Sequence, residues 1–284
     1  MAEVKAGGTG ESPSRGAAAG YGWNDLIVAG LIFVFSQWAS VFVYGALGGE
    51  APAAGVEAEG FLRGRYLAAV YAIAMVLCIA LLWLYGRVMR RRVCLTFRAP
   101  GWASPIRLLA GYVLMWIFSI AIEPLSSALP GRSYDMGTGG WFLLSSIVAA
   151  PIFEEIIFRG FLTGGMRRAR GGVAAWIWPA VVFALVHVSP AAMASALAGG
   201  LVLGFYYLRY RSLVLVIMLH ALNNMTACFL EVVGAGDVTV GELVGGGWVA
   251  TAVYAVCGVL SVAALARMYV LMRRIKSDDC SASE

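Results

Sequence analysis

The chain is poor in charge. Of its 284 residues only 13% are Asp, Glu, Lys or Arg, and it holds two histidines. Globular domains carry about 25% charged residues, so a soluble domain with a solvated surface is excluded. The five cysteines, Cys78, Cys94, Cys228, Cys257 and Cys280, form no CxxC pair and stand near no His-rich tract. That excludes a structural zinc ribbon and a disulfide framework. The first 24 residues are Gly, Ala, Ser and charge without an apolar core, so no cleavable signal peptide is read there. A disordered cytoplasmic arm is expected over 1–24 instead. Cys280 stands fifth from the end of the sequence, where prenylation needs it fourth, so the chain is not itself expected to be prenylated.

What is present is apolar sequence: 61% of the residues are hydrophobic. A membrane-spanning helix takes about 20 such residues, and eight runs offer them: 25–47, 66–86, 106–123, 141–163, 173–188, 191–208, 212–232 and 248–271. The expected fold is an all-α, polytopic membrane helix bundle with one helical domain over 25–271, its motif-bearing core at 141–232, and a cytoplasmic tail at 272–284. The fifth run is short and only Ser189 and Pro190 separate it from the sixth, which suits a tight helical hairpin or a re-entrant element. Positive charge collects on the cytoplasmic side of membrane proteins. With both termini cytoplasmic, 16 of the 21 Lys and Arg fall in cytoplasmic segments, three in the opposite loops and two, Arg159 and Arg267, within the runs. The clusters Arg90–Arg92 and Arg167–Arg170 read as topology determinants and contacts to anionic lipid. The formal charge of +5 therefore implies the lipid bilayer as partner and no nucleic acid. The Ala-, Gly- and Arg-rich composition points to a prokaryotic plasma membrane.

An ionisable group at membrane depth costs at least about 2.5–3.5 kcal/mol on insertion scales, so each asks for a partner or a function. The first three runs offer little beyond Gln37 and the span-end Glu123. The fourth carries Glu154, Glu155 and Arg159, the fifth His187, and the seventh His220, Asn223 and Asn224. At about 1.5 Å per residue, Glu154, His187, His220 and Asn224 all lie roughly 10–17 Å in from the cytoplasmic helix ends. Glu155 and Arg159 are four apart and can pair along the helix, while Glu154 projects elsewhere. His220 and Asn224 share the same spacing and face. A carboxylate with an imidazole can move the protons of an attacking water, and an imidazole N–H beside an amide can hold an oxyanion. No Ser-His-Asp set is apparent. Ser189 and Ser195 read as helix-end and packing residues, Asn223 as packing, and Ala191–Gly204 as a close-packing stripe of small residues.

Glu154-Glu155-x-x-x-Arg159, Phe183-x-x-x-His187 and His220-x-x-x-Asn224, in that order and each on its own run, resemble the three motifs of the CAAX prenyl endopeptidase family, also called Abi or CPBP intramembrane proteases. The resemblance covers about 141–232. It implies an all-helical fold around a polar cavity and hydrolysis of a peptide bond near the membrane. Glu154 and His187 would then activate water, His220 and Asn224 would hold the oxyanion, and Glu155 and Arg159 would support the first motif. The substrate would be a membrane-associated protein or peptide, lipidated or not.

Two other classes compete. Buried Glu and His also build proton-coupled transporters, but those repeat their broken helices in both halves, and the first half here has no counterpart of the motifs. A catalytically silent immunity or scaffold protein would keep the same fold. Glu154, His187 and His220 also make a two-His, one-carboxylate set of the kind that holds catalytic zinc. A zinc-bound water still needs a base, Glu155 is expected to be taken by Arg159, and His220 cannot ligate and donate from one nitrogen. No cofactor is therefore expected, with zinc as the alternative.

Overall fold

The computed structural model describes residues 20–52, 60–93, 95–97, 104–130, 139–187 and 189–275. Most of the arm expected at 1–24, the tail beyond 275, Cys94, Cys280, Arg98 and Arg132 lie outside these residues. Helices account for nearly all the regular structure, with no β-strand among the described residues. In chain order they are α1 Trp23–Ala46, α2 Gly60–Val88, α3 Ser104–Ala128, α4 at 140–170, α5 at 172–185, α6 Pro190–Tyr210, α7 Leu213–Val232, the short α8 Val240–Leu243 and α9 Gly247–Met272.

Seven helical runs are long and apolar enough to cross a membrane, and one of them, Gly140–Leu185, joins the fourth and fifth runs of the sequence. A straight helix of this kind would set Phe158 and Phe183 about 37 Å apart. Their ring centroids lie 5.0 Å apart, so the chain doubles back between α4 and α5. The reversal is at Gly171, whose φ of 78° and ψ of −177° only glycine adopts without strain. The next residue, Gly172, admits no side chain, since a Cβ there would sit 2.4 Å from the Met272 carbonyl. This tight reversal, in place of a loop, is why eight apolar runs give seven long helical runs.

The ends named as cytoplasmic by charge lie together. Tyr21 N–H donates to the Gly165 carbonyl at 3.0 Å, Gly172 N–H to that of Ile275 at 3.0 Å, and Leu213 N–H to that of Thr96 at 2.9 Å. Asp25, buried in the first turn of α1, accepts from Tyr85 at 2.5 Å and from Arg91 Nε at 3.1 Å, which ties α1 to the end of α2. Burial also pushes the Tyr21 phenol well above its usual pKa, assisted by the Asp25 charge. On the other side Thr239 and Glu242 cap α8 reciprocally. Hydrogen bonds from the Thr239 N–H and hydroxyl hold the exposed Glu242 carboxyl below its ordinary range.

The core is centred on α6, where half of the most apolar window is buried, against 11–33% for the other runs. Its small residues do the work expected of them: Gly200 lies against Ala180 and Phe183, and Gly204 against Trp176. Arg211, with φ of 53°, ends α6 in a left-handed turn, and Ser212 caps α7. Outward faces are apolar, as on α1 at Ile27, Leu31, Phe35 and Trp38. That distribution suits lipid and would aggregate in water. The protein is an integral membrane protein.

Single-cysteine labelling in a cysteine-free background is expected to place Arg170→Cys and Arg274→Cys on one side, the cytoplasmic one, and Asp237→Cys on the other. Labelling of 170 and 237 from the same side would overturn this topology.

Candidate active site

The two glutamates sit where α4 departs from α-helical register. Residues Leu144–Ala149 and Glu155–Thr163 form π-helical turns, with only Ala150–Glu154 α-helical between them. Pro151 supplies a cause for the first: its ring crowds the carbonyl four residues back, and a wider turn relieves that clash. In the wide register Ala150 N–H bonds to the Ser145 carbonyl. The next bond in the series would run from residue 151 to Ser146, and proline has no N–H to make it. The orphaned Ser146 carbonyl instead accepts from Asn224 Nδ2 at 2.9 Å. A missing backbone donor on α4 thus orients a motif side chain on α7.

Glu155 is fully buried, and its Oε1 accepts from Arg159 Nη1 at 2.9 Å and from His220 Nδ1 at 2.8 Å. Arg159, also buried, donates from Nη2 to the Gly200 carbonyl at 3.3 Å and stacks 4.6 Å over the Phe183 ring. Glu154 turns the other way: its Oε1 accepts from the Tyr71 hydroxyl at 2.9 Å, and its Oε2 lies 3.8 Å from His220 Nε2. His187 holds the carbonyl of Phe183, one turn back, through Nδ1 at 2.8 Å. A carbonyl only accepts, so this partner assigns the His187 proton to Nδ1 and leaves Nε2 a free lone pair in the neutral ring. By the same reasoning Glu155 holds the Nδ1–H of His220. Phe183 stands edge-on between the two imidazoles, its centroid 4.9 Å from His187 and 6.1 Å from His220.

His187, His220, Asn223 and Asn224 line one cavity of about 240 Å³, with Met115 and Ser119 of α3 and Ala192, Ser195 and Gly199 of α6 completing its walls. Motif residues from the end of α5 and from α7 therefore meet at one cavity. Glu154 is not in this wall and reaches it through His220. Among the described residues no three His, Cys, Asp or Glu side chains are grouped to hold a metal ion; His187 turns Nδ1 onto its own helix and Glu154 pairs with Tyr71.

Residues 137–226 match the family of type II CAAX prenyl endopeptidases described as Rce1-like. This is the family that the three motifs resemble, and the match spans all seven motif residues. No curated protein and no solved structure matches the chain. Helices α1, α2, α3 and α9 lie outside the matched stretch, yet the Rce1-like segment is completed by them: Tyr71 of α2 grips Glu154, and Met115 and Ser119 of α3 close the cavity.

Sequence reasoning missed Tyr71, Ser146 and the second partner of Glu155, and it read Asn223 as packing where the residue lines the cavity. A tyrosine in an apolar run carries no pattern, and a backbone carbonyl none at all. The presence of Pro151 three residues before Glu154 was the one available signal for Ser146. Tyr71→Phe removes a hydrogen bond to a charged group, worth about 1.5–3 kcal/mol. Turnover is expected to fall about tenfold with KM little changed, since Tyr71 positions Glu154 and lies outside the cavity wall. An equal loss in kcat and substrate affinity would place Tyr71 in substrate binding instead.

Proposed function

We propose that this protein is an intramembrane endopeptidase that hydrolyses a peptide bond of a membrane-associated protein or peptide. The observation that carries the reading is the convergence of His187, His220 and Asn224 on one cavity, with Glu154 Oε2 lying 3.8 Å from His220 Nε2. In this reading a water held between Glu154 and the free Nε2 of His187 attacks the scissile carbonyl carbon, and its proton passes to that pair. The carbonyl oxygen becomes an oxyanion that accepts from the second Nδ2–H of Asn224 and from His220 Nε2–H. An imidazolium at residue 220 donates from both nitrogens, one to Glu155 and one to the oxyanion. Collapse of the tetrahedral intermediate breaks the C–N bond, and the stored proton goes to the leaving amine.

Family likeness favours a CAAX-type substrate, and the cavity's position inside the bundle favours one already at the membrane. The setting is a prokaryotic plasma membrane on the Ala-, Gly- and Arg-rich composition, with cytoplasmic termini on the charge distribution.

Asn224→Ala removes one oxyanion donor and is expected to lower turnover roughly 10²- to 10³-fold with substrate binding little changed. The active enzyme is expected to hold less than about 0.1 zinc per chain, far below the full site a catalytic zinc requires, and to survive chelation. Stoichiometric zinc whose removal and return switches activity off and on would overturn the metal-independent reading.

A further inference from the structure

On the side away from the arginine-rich ends lies a second cavity, of about 390 Å³, lined by Glu123, Ser126, Ser127, Ser195, Asp237 and Thr239 among others. Ala192 and Ser195 wall both this cavity and the catalytic one. These two small side chains on the first turns of α6 are therefore the partition between them.

Helix lengths account for the recess. Gly172 is bonded to Ile275, so α5 starts level with the end of α9. α5 spans 14 residues and α9 spans 26. At about 1.5 Å per residue α5 rises about 21 Å and α9 about 39 Å, so the turn at 186–187 that ends α5 stops well short of the far tip of α9. Over this sunken turn stand the end of α3, reaching Ala128, and the α7–α8 connection. Irregular backbone and polar side chains at membrane depth persist where they line a water-filled space. Glu123 is held there by Tyr254 at 2.5 Å and by the Val240 N–H at 2.8 Å. The opposite approach is closed: Met166, Leu203, Tyr207, Leu213 and Val216 are at most 1% exposed. The cavity beside Arg87, Arg91 and Arg92 shares no lining residue with the catalytic one.

We infer that the second cavity is the vestibule of the active site, through which water and the hydrophilic flank of the substrate chain reach His187, His220 and Asn224 from the face opposite the arginine-rich ends, past Ala192 and Ser195. What is admitted rests on the peptidase reading; the route rests on the shared wall and the sunken turn.

The test uses the full chain, freed of its native cysteines, in sealed vesicles of known orientation, with Arg170→Cys and Glu50→Cys as markers of the two faces. A membrane-impermeant cationic methanethiosulfonate is expected to label Ser195→Cys and Ser127→Cys from the side that labels Glu50→Cys, and not from the Arg170→Cys side. Modification of Ser195→Cys is expected to lower its peptidase turnover at least tenfold relative to the same variant before treatment. Labelling of Ser195→Cys from the Arg170→Cys side, or none while both markers react, overturns the route. If the labelling is as expected and no peptidase activity is found in the unmodified chain, the catalytic reading fails and the vestibule stands.

Discussion

Glu154→Gln is expected to abolish peptide hydrolysis while leaving the protein folded. Glutamine keeps the shape of the side chain, and its carbonyl oxygen still accepts from the Tyr71 hydroxyl, which lies 2.9 Å from Glu154. What it loses is the negative charge and the basic oxygen beside His220, 3.8 Å away. A positioned general base contributes about 10²- to 10⁴-fold, and here the same carboxylate also balances charge on His220 as the oxyanion forms, so the loss is expected at the upper end. Turnover of the purified protein against a labelled membrane peptide measures the first effect, and thermal unfolding in detergent the second. Full activity in Glu154→Gln would refute the peptidase mechanism at its centre, whereas a collapse in Tm would show that Glu154 is structural.

Glu155→Gln is expected to act oppositely, through stability. Glu155 is the hub of a buried network: one oxygen takes both Arg159 at 2.9 Å and His220 at 2.8 Å, with no solvent exposure. Removing its charge leaves the Arg159 guanidinium, 1% exposed, without its hydrogen-bonded carboxylate partner. Breaking a buried pair in this way costs about 3–5 kcal/mol, an effect that thermal or denaturant unfolding reads directly. Activity falls as well, because the Nδ1–H of His220 then faces a neutral amide oxygen in place of a carboxylate. The double variant Glu155→Gln/Arg159→Met separates the two roles. It removes the orphaned charge, so most of the stability is expected to return, but His220 still lacks a carboxylate at Nδ1 and turnover is expected to stay low. Recovery of both together would mean that Glu155 serves Arg159 alone.

Much of the site was legible before any coordinates. Spacing alone placed Glu155 and Arg159 together and sent Glu154 to a different neighbour, because i,i+4 side chains stack on a helix wall and adjacent ones diverge by about 100°. Counting from helix ends put the two histidines and Asn224 at one depth. Ser189 as a helix end also follows from local rules and holds, and the Ala191–Gly204 stripe packs closely at Gly200 and Gly204, but its first turns, with Ser195, read as packing, line cavities instead. Asn223, read as packing, instead lines the cavity.

The sequence by itself determined the class of the fold, the alternation of charged ends and the identity of the motif residues, because each of these is set by local chemistry. Length and apolarity select a membrane helix, lysine and arginine fall on one side, and three spaced motifs survive any arrangement of the bundle. The tertiary structure alone decided that the fourth and fifth runs are one doubled-back pair hinged at Gly171, that Tyr71 from a motif-free helix holds Glu154, and that one oxygen of Glu155 serves two partners. It also decided that Pro151 frees a carbonyl for Asn224. These are contacts between residues 65 to 83 positions apart. No periodicity encodes such pairs, because a hydrogen bond across helices depends on which faces meet, and that is settled only when the whole bundle packs.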